Sequence, residues 1–236
     1  MTKIYAHRGS RGINREFPEN TLLAFQKAID HKADGIELDV HLSRDEQVVV
    51  IHDEDLERTT DGLGFVRNYP LSDLKEFDAG QGEKIPTLAE VFDLLASTNL
   101  ELNIELKTSR FKYPNLPQKV LEVVKKMGGD RKIVYSSFHL PTLISLKKMD
   151  KTANIAWLLE KGPVSDPEKA INSANLEALH IKPDMLLPYL HHYEGLFEKI
   201  RVYTVNDTVE IREVAKTGVA AIITDVPDVA LKILGR

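Results

Sequence analysis

The chain repeats one pattern along its length: a short run of β-branched and other apolar residues, followed by a stretch with helical periodicity. Most of the runs are nearly continuous in apolar residues, which is typical of parallel strands buried on both faces. The predicted strands are Lys3–Ala6, Gly35–Val40, Glu101–Leu106, Lys132–Ser136, Asn154–Leu158, Leu176–Ile181, Ile200–Val205 and Ala220–Thr224. The predicted helices include Asn20–His31, Thr87–Ser97, Leu116–Met127 and Asp207–Lys216. This alternation indicates an α/β fold with a parallel sheet.

Eight strand–helix units in a chain of 236 residues leave roughly 30 residues for each unit, which suits a small (β/α)8 TIM barrel. The alternative is an open, doubly wound sheet. The glycine-rich phosphate loops that would support this alternative, G-x-G-x-x-G and G-x-x-x-x-G-K, are not found in the sequence. We therefore predict one TIM-barrel domain over residues 1–236.

One strand-like run, Gln47–Ile51, breaks the alternation because it follows the second strand after only a few residues. A parallel crossover needs about a dozen residues or more, so this run is predicted to turn back as an antiparallel hairpin. With Asp45-Glu46 as a two-residue loop, Asp39 lies opposite His52. Directly opposed residues share one face of a sheet, and the register therefore predicts that Glu37, Asp39 and His52 lie close together.

The composition excludes several classes of protein. The absence of cysteine excludes a disulfide scaffold, a thiolate metal site and a cysteine nucleophile. Lys and Arg number 31 against 36 Asp and Glu, which gives a net charge of −5 without a basic run, so no nucleic-acid partner is expected. No run approaches about 18 apolar residues, and the first residues lack the apolar core of a signal peptide. We expect a cytoplasmic protein without stable membrane association, and no feature indicates an oligomeric state.

Acidic residues lie near the carboxyl ends of two predicted strands, where TIM barrels carry their active sites. Glu37 and Asp39 are two residues apart and share a face, and Glu105 occupies a similar place in the next predicted parallel strand. Three carboxylates in otherwise apolar strands form a hard oxygen cage that suits Mg²⁺ or Ca²⁺. The alternative is that Glu105 pairs with Lys107 or Arg8 and holds no metal.

Two histidines are predicted at the same end of the barrel. His7 ends the first strand, and His52 follows the hairpin run. Two imidazoles with pKa values near neutrality can act as acid and base in turn, and either histidine can take either role. Arg8 and Lys107 add positive charge beside them, which suits the binding of a phosphate group.

Short motifs spread over nearly the whole chain resemble those of the glycerophosphodiester phosphodiesterase family. They are His7-Arg8-Gly9, Pro18-Glu19-Asn20-Thr21, Gly35-Ile36-Glu37-Leu38-Asp39-Val40, His52-Asp53, Thr60-Asp61-Gly62, Ile85-Pro86-Thr87-Leu88, Asn103-Ile104-Glu105-Leu106-Lys107, Ser137-Phe138, Tyr203-Thr204-Val205-Asn206 and Ile223-Thr224-Asp225. Each piece alone is weakly specific, and the combination is highly specific.

The resemblance implies a TIM barrel with a small insertion after the second strand, at about residues 53–86. It also implies hydrolysis of glycerophosphodiesters to glycerol 3-phosphate and an alcohol, with a divalent cation. The implied roles are His7 and His52 as the catalytic acid–base pair, Arg8, Lys107 and Tyr203 in substrate binding, and Glu37, Asp39 and Glu105 as metal ligands. The family often has Trp where this chain has Tyr203, an aromatic residue placed at the glycerol pocket.

Three other functions fit parts of the pattern. The nearest is another phosphodiesterase on the same scaffold that acts on lipids, such as a lysophospholipase D or a phosphoinositide phospholipase C. A second is a Schiff-base aldolase that uses Lys107, because barrel aldolases carry a lysine at a strand end. The third is a non-catalytic binding module, which would not need both histidines together with three carboxylates.

Overall fold

The computed structural model describes residues 1–236, and its central feature is a barrel of eight parallel strands. The sheet has the order β1-β9-β8-β7-β6-β5-β4-β2-β3, and the additional pairing of β1 with β2 closes the barrel. The strands are β1 (Lys3–His7), β2 (Gly35–Leu42), β3 (Val48–Val50), β4 (Glu101–Leu106), β5 (Ile133–Ser137), β6 (Asn154–Leu158), β7 (Ala178–Ile181), β8 (Ile200–Val202) and β9 (Ala221–Thr224). The predicted TIM barrel is confirmed, and the open-sheet alternative is wrong.

Helices follow the barrel strands and cover the outside of the barrel. They are α1 (Leu22–Asp30), α2 (Leu71–Leu74), α3 (Leu88–Leu95), α4 (Leu116–Met127), α5 (Leu140–Met149), α6 (Pro167–Ala174), α7 (Pro183–Leu186), α8 (Thr208–Lys216) and α9 (Pro227–Ile233). The predicted capping box of α3 is present, because the Thr87 hydroxyl accepts from the Glu90 N–H and the Glu90 carboxylate accepts from the Thr87 N–H. None of the helices has the length and apolar character needed to cross a bilayer.

Alternation along β2 separates the apolar core from the barrel interior. Ile36, Leu38 and Val40 belong to a buried cluster that also includes helix residues such as Phe25 of α1. The residues between them, including Glu37, point to the opposite side, as strand geometry requires. The same strand therefore stabilises the outer shell and carries acidic groups inside the barrel.

The segment between β3 and α3, predicted as an insertion, has its own small apolar core. It includes α2 and a short 3₁₀ helix at Val66–Asn68. Leu56, Val66 and Leu74 are buried with Val49 and other neighbours in a cluster separate from the main one. The segment thereby rests on the end of the β2–β3 hairpin, directly beside the barrel mouth.

The hairpin register differs by one residue from the prediction. Val40 pairs with Val50, so the next position brings Asp39 level with Ile51 rather than with His52. The Ile51 N–H donates to the Asp39 carbonyl at 3.1 Å. The loop has three residues, with Glu46 in the left-handed region at φ 59°, rather than the predicted two. A continued strand would send His52 to the far face, but β3 ends at Val50.

Candidate active site

Parallel pairing brings the three carboxylates together at the carboxyl end of the barrel. Asp39 of β2 is in register with Glu105 of β4, and His7 of β1 is in register with Glu37. Carboxylate oxygens of Glu37, Asp39 and Glu105 lie within 4.8 Å of one another, and all three residues are buried. Glu37 also accepts a hydrogen bond of 3.0 Å from the backbone N–H of Arg8. These residues form the carboxylate cluster.

The carboxylate cluster carries more negative charge than its neighbours neutralise. Burial raises the pKa of Glu37 well above its usual value, and the charges of Asp39 and Glu105 add to this effect. Burial also raises the pKa of Glu105, against the opposing charge of Lys107. Although burial acts in the same direction on Asp39, the charge of Lys107 and other cations holds the pKa of that carboxyl well below its usual value. An added cation would relieve the repulsion among the three groups.

Two positive side chains border the carboxylate cluster. Lys107 Nζ lies 2.9 Å from Glu105 Oε1 and 3.6 Å from Asp39 Oδ1. Arg8 extends to Asp39 Oδ2 at 3.5 Å and to Glu19 Oε1 at 2.7 Å. The pairing of Lys107 with Glu105, which the metal-free alternative predicts, is therefore present alongside the clustering of the acids.

His7 lies at the end of β1 and is held by a carboxylate from the last barrel strand. Its Nδ1 lies 2.7 Å from Asp225 Oδ1. Asn206 fixes that carboxylate, since its Nδ2 donates to Asp225 Oδ2 at 2.9 Å. The other ring nitrogen, Nε2, lies 4.0 Å from Glu37 Oε2. His7 thus presents Nε2 to the carboxylate cluster.

His52 follows β3 and has a matching arrangement. Its Nδ1 hydrogen-bonds to Asp53 Oδ1, and its Nε2 lies 3.1 Å from Lys107 Nζ. The end of β3 at Val50 allows the chain to turn, so His52 reaches the site despite the shifted register. The predicted proximity of His52 to the acidic residues therefore holds, while the register from which it was derived is wrong.

The carboxylate partners determine where each imidazole carries its proton. Burial lowers the pKa values of His7 and His52, so both rings favour the neutral form. The pKa values of Asp53, at about 2, and of Asp225 are also lowered despite burial, because of hydrogen bonds from Arg58 and His7 respectively. An ionised carboxylate only accepts, so Nδ1–H donates to it and Nε2 keeps a lone pair facing the site.

Two recesses open on either side of His52. The first, of about 390 Å³, is the aromatic recess, lined by His52, Glu54, Glu105, Lys107, Ser109, Phe138, Glu160, Lys182 and Tyr203. The second, of about 380 Å³, is the arginine recess, lined by His7, Arg8, Arg11, Arg15, Glu19, His52, Asp53, Arg58, Thr204, Asn206 and Asp225. Both predicted histidines face the arginine recess, and His52 borders both spaces. A substrate with two arms could place its reacting group at His52 and one arm in each recess.

Tyr203, predicted to bind substrate, stands at the wall of the aromatic recess. Its ring packs edge to face with Phe138, with 6.1 Å between the ring centres. Its hydroxyl donates to the Leu159 carbonyl at 2.6 Å, which leaves the ring as the part available to a ligand. All eight predicted site residues therefore lie around one mouth.

Sequence reasoning assigned no role to the polar residues that orient these groups. Asn20 donates to Asp39 Oδ2 at 2.9 Å, and Asp53 and Asp225 hold the two imidazoles. Asp225 and Asn206 had a usable signal, because both follow barrel strands near the ends that form the mouth. Asp53 had another, as the direct neighbour of a predicted catalytic histidine.

The carboxylate cluster fits a divalent cation. Asp39 Oδ1 is buried and has no hydrogen-bond partner, so it keeps a lone pair available to a ligand. The cluster supplies only hard oxygen donors, which are the ligands that Mg²⁺ and Ca²⁺ prefer. Glu37, Asp39 and Glu105 could therefore hold a metal ion.

A barrel mouth with two carboxylate-held imidazoles, clustered acids and two cations contains the groups that enzymes use for acid–base chemistry on anionic substrates. The sequence matches the glycerophosphoryl diester phosphodiesterase family over residues 7–229. The chain belongs to this family and is a phosphoric diester hydrolase. The family match shows that the aldolase and non-catalytic alternatives are wrong. The charges of Glu105 and Asp39 also raise the pKa of Lys107, so its amine stays charged, whereas Schiff-base formation needs a neutral amine.

Individual relatives agree with the family match. A glycerophosphodiester phosphodiesterase from Caldanaerobacter subterraneus subsp. tengcongensis is 36% identical over 247 aligned positions, covering 100% of this chain and 98% of the relative. The structure of a phosphodiesterase from Oleispira antarctica in complex with the product sn-glycerol-3-phosphate superposes with a TM-score of 0.90 at 28% identity, covering 100% and 98% of the two chains. The structure of a glycerophosphodiester phosphodiesterase from Agrobacterium tumefaciens superposes with a TM-score of 0.83 at 31% identity, covering 98% of this chain and 100% of the other.

Proposed function

We propose that this enzyme hydrolyses glycerophosphodiesters to glycerol 3-phosphate and an alcohol, with His7 and His52 as the acid–base pair and a divalent cation at the carboxylate cluster. One observation carries the proposal: two imidazoles, each bonded through Nδ1 to its own carboxylate, face one recess beside three buried acids. The product complex of the Oleispira antarctica relative supports the substrate class.

Charge neutralisation is the first requirement of this reaction, because the phosphodiester is already an anion. Arg8 offers a planar fork to two phosphate oxygens, and Lys107 offers a point charge. Glu37, Asp39 and Glu105 would hold Mg²⁺ or Ca²⁺, which when bound polarises a phosphate oxygen. Preorganised positive groups of this kind stabilise the negative charge that develops in the transition state.

Proton transfer is the task of the two imidazoles. One Nε2 accepts the proton of the attacking hydroxyl as its oxygen bonds to phosphorus. The other histidine, protonated on Nε2, gives its proton to the alcohol oxygen as the phosphorus–oxygen bond breaks. The carboxylates of Asp53 and Asp225 stabilise the imidazolium form while it exists.

The attacking hydroxyl belongs either to water or to the carbon of glycerol next to the ester. Attack by the glycerol hydroxyl forms a cyclic phosphate, which water then opens. After the first step the base holds a proton and the acid has lost one, so the two histidines exchange roles in the second step. Neither route needs a nucleophile from the protein.

A panel of glycerophosphodiesters that differ in the alcohol, read out through release of glycerol 3-phosphate, tests the proposal directly. We expect turnover that disappears in EDTA and returns with Mg²⁺ or Ca²⁺. His7→Ala and His52→Ala should each lower kcat by about 10²–10⁴-fold, the usual contribution of acid–base catalysis. The exposed Glu16 provides a matched control, Glu16→Gln, which should retain full activity. Full activity in chelator would reject the metal, and near-normal kcat in either histidine variant would reject its role.

A comparison of two substrates distinguishes the proposed activity from that of a lipid-acting phosphodiesterase. Glycerophosphocholine and lysophosphatidylcholine share a head group and differ in the acyl chain. Charged and polar side chains make up most of the lining of both recesses, and Phe138 and Tyr203 are the aromatic exceptions. We therefore expect glycerophosphocholine to react faster, whereas faster reaction of the lipid would favour a lysophospholipase D.

We also propose that residues 1–236 form a single domain, that the partner is a small molecule and that the protein is cytoplasmic.

A further inference from the structure

We propose that Glu19 is a positioning residue that ties the two histidine–carboxylate pairs into one unit. This inference rests on the proposed roles of His7 and His52. Glu19 lies on the loop between β1 and α1, and its side chain is only 5% exposed. Its carboxylate pairs with arginines rather than with either imidazole, so it would act through other residues.

Glu19 is bound by three arginines at once. Its carboxylate lies 2.7 Å from Arg8 Nη1, 2.6 Å from Arg11 Nη2 and 2.6 Å from Arg58 Nη2. Although burial would raise its pKa, hydrogen bonding to Arg58 and the charges of Arg8 and Arg11 lower it to about 2. Glu19 therefore stays ionised at working pH and serves as a permanent link.

Two of these arginines also contact the carboxylates that hold the histidines. Arg11 Nη1 lies 3.4 Å from Asp225 Oδ1. Arg58 bonds to both oxygens of Asp53, with Nε at 2.5 Å and Nη2 at 3.2 Å. A chain of contacts thus joins the two imidazoles: His7, Asp225, Arg11, Glu19, Arg58, Asp53 and His52.

The charges explain why the central link matters. Arg11 and Arg58 each compete with a histidine for its carboxylate, because one carboxylate accepts from both. Glu19 draws these arginines toward itself and balances part of their charge. Without its charge, Arg11 and Arg58 would move toward Asp225 and Asp53 and weaken their bonds to the imidazoles. Small errors in the placement of reacting groups are costly in catalysis.

Glu19 also contacts the third arginine, Arg8. This contact offers a second role, which the test must distinguish from positioning of the histidines. Arg8 is proposed to bind phosphate, so loss of Glu19 could act only through substrate affinity. A role in holding the loop alone would lower stability without any specific effect on the histidines. Positioning of the two pairs predicts instead a loss in kcat and a change at both imidazole Nδ1 protons.

Glu19→Gln keeps the size of the side chain and removes its charge. We expect kcat for glycerophosphodiesters to fall by about 10–100-fold, with a smaller change in KM. The far-downfield proton NMR signals of the two carboxylate-bound Nδ1–H groups should shift or broaden together. Glu16→Gln, an exposed residue on the same loop, should leave rates and signals unchanged. Wild-type kcat with unaltered signals in Glu19→Gln would overturn the proposal, whereas an inactive wild-type enzyme would overturn the proposed function itself.

Non-additivity provides the second readout. Residues that act as a unit lose their separate effects once the unit is broken. In the His7→Ala/His52→Ala background, Glu19→Gln should therefore cost nothing further in the residual rate. If Glu19→Gln lowered the residual rate of this background as strongly as it lowers the wild-type rate, Glu19 would have a role unrelated to the histidines, and the proposal would be overturned.

A variant at one end of the chain of contacts guards against failure of Glu19→Gln to fold. The Arg58 side chain is 45% exposed, so Arg58→Met should be tolerated. It removes the two bonds that fix the orientation of Asp53, so it should perturb the Nδ1 proton of His52 more than that of His7 and lower kcat. Normal kcat with both signals unchanged would overturn the proposal independently.

Discussion

At the residue scale, the two imidazoles depend on acceptors that lie far apart in the sequence. Asp225 reaches His7 across 218 positions of the chain, whereas Asp53 is the neighbour of His52. The types and approximate places of the candidate site residues could be predicted, because functional groups at strand ends must meet at the barrel mouth. Which side chains bond to one another could not, since that depends on rotamers and loop paths.

Asp53→Asn and Asp225→Asn test the tautomer argument. An amide can donate to Nδ1 and so favour the tautomer with its proton on Nε2, which removes the lone pair that faces the site. We expect kcat to fall by on the order of 10²–10⁴-fold in each variant, with little change in folding. Steady-state kinetics together with circular dichroism measure both effects.

Asp73→Asn is the matched control for these variants, since Asp73 is an exposed residue of α2. Its kcat should equal that of the wild type. If Asp225→Asn also kept wild-type kcat, the carboxylate would not control the proton of His7, and His7 would lose its assigned role.

At the element scale, strand and helix bounds followed closely from apolar runs and caps. Glu101–Leu106 and Asn154–Leu158 were predicted with their observed bounds. The β2–β3 register failed because the run Val48–Ile51 is apolar at every position, so its pattern does not distinguish a two-residue from a three-residue turn. The turn is closed by Ser43, whose Oγ accepts from the Gln47 N–H at 2.9 Å, and by Glu46 at positive φ. Those local details decide the register, and composition does not reveal them.

Glu46 offers a direct test of this turn. A residue with a Cβ pays a conformational cost of roughly 1–2 kcal/mol in the left-handed region, while glycine does not. Glu46→Gly and Glu46→Ala both remove the side-chain contact with Asn115, and they differ in backbone freedom. We expect the glycine variant to be more stable than the alanine variant by roughly 1 kcal/mol in urea unfolding. Equal stabilities would contradict the turn geometry described for β2–β3.

At the scale of the whole molecule, the barrel interior carries polar groups well below the mouth, beside two small apolar clusters. Tyr5, His180 and Arg201 are buried there, and both ring nitrogens of His180 lack a partner. Burial and the charge of Arg201 hold the pKa of His180 well below its usual value. The sequence pattern indicated strands buried on both faces, but it could not show that one of those faces would carry buried polar groups below the mouth. Stability must therefore come mainly from the apolar shell between strands and helices.

The carboxylate cluster links function to the stability of the whole chain. The pKa values of Glu37 and Glu105 are raised on folding, so the unfolded chain releases these protons at lower pH than the folded one. Their contribution to the unfolding free energy consequently declines as pH rises above the ordinary glutamate pKa of about 4.3. A bound cation reverses this loss, because it favours the charged carboxylates. The two glutamates therefore cost stability in metal-free protein at neutral pH, whereas the lowered pKa of Asp39 acts in the opposite direction.

Glu37→Gln separates this cost from catalysis. In chelator at about pH 8, we expect the variant to have a higher Tm than the wild type, because one repelling charge is gone. Adding Ca²⁺ or Mg²⁺ at about 100 times its Kd should stabilise the wild type by about 2.7 kcal/mol, which raises Tm by roughly 5–10 °C for a chain of this size. The rise should shrink near pH 5, where protons compete for the carboxylates, and should largely vanish in the variant. Scanning calorimetry with Glu16→Gln as control measures all of these shifts. A metal-induced rise of equal size in Glu37→Gln and wild type would show that the cation binds elsewhere, and the carboxylate cluster would then lose its proposed role.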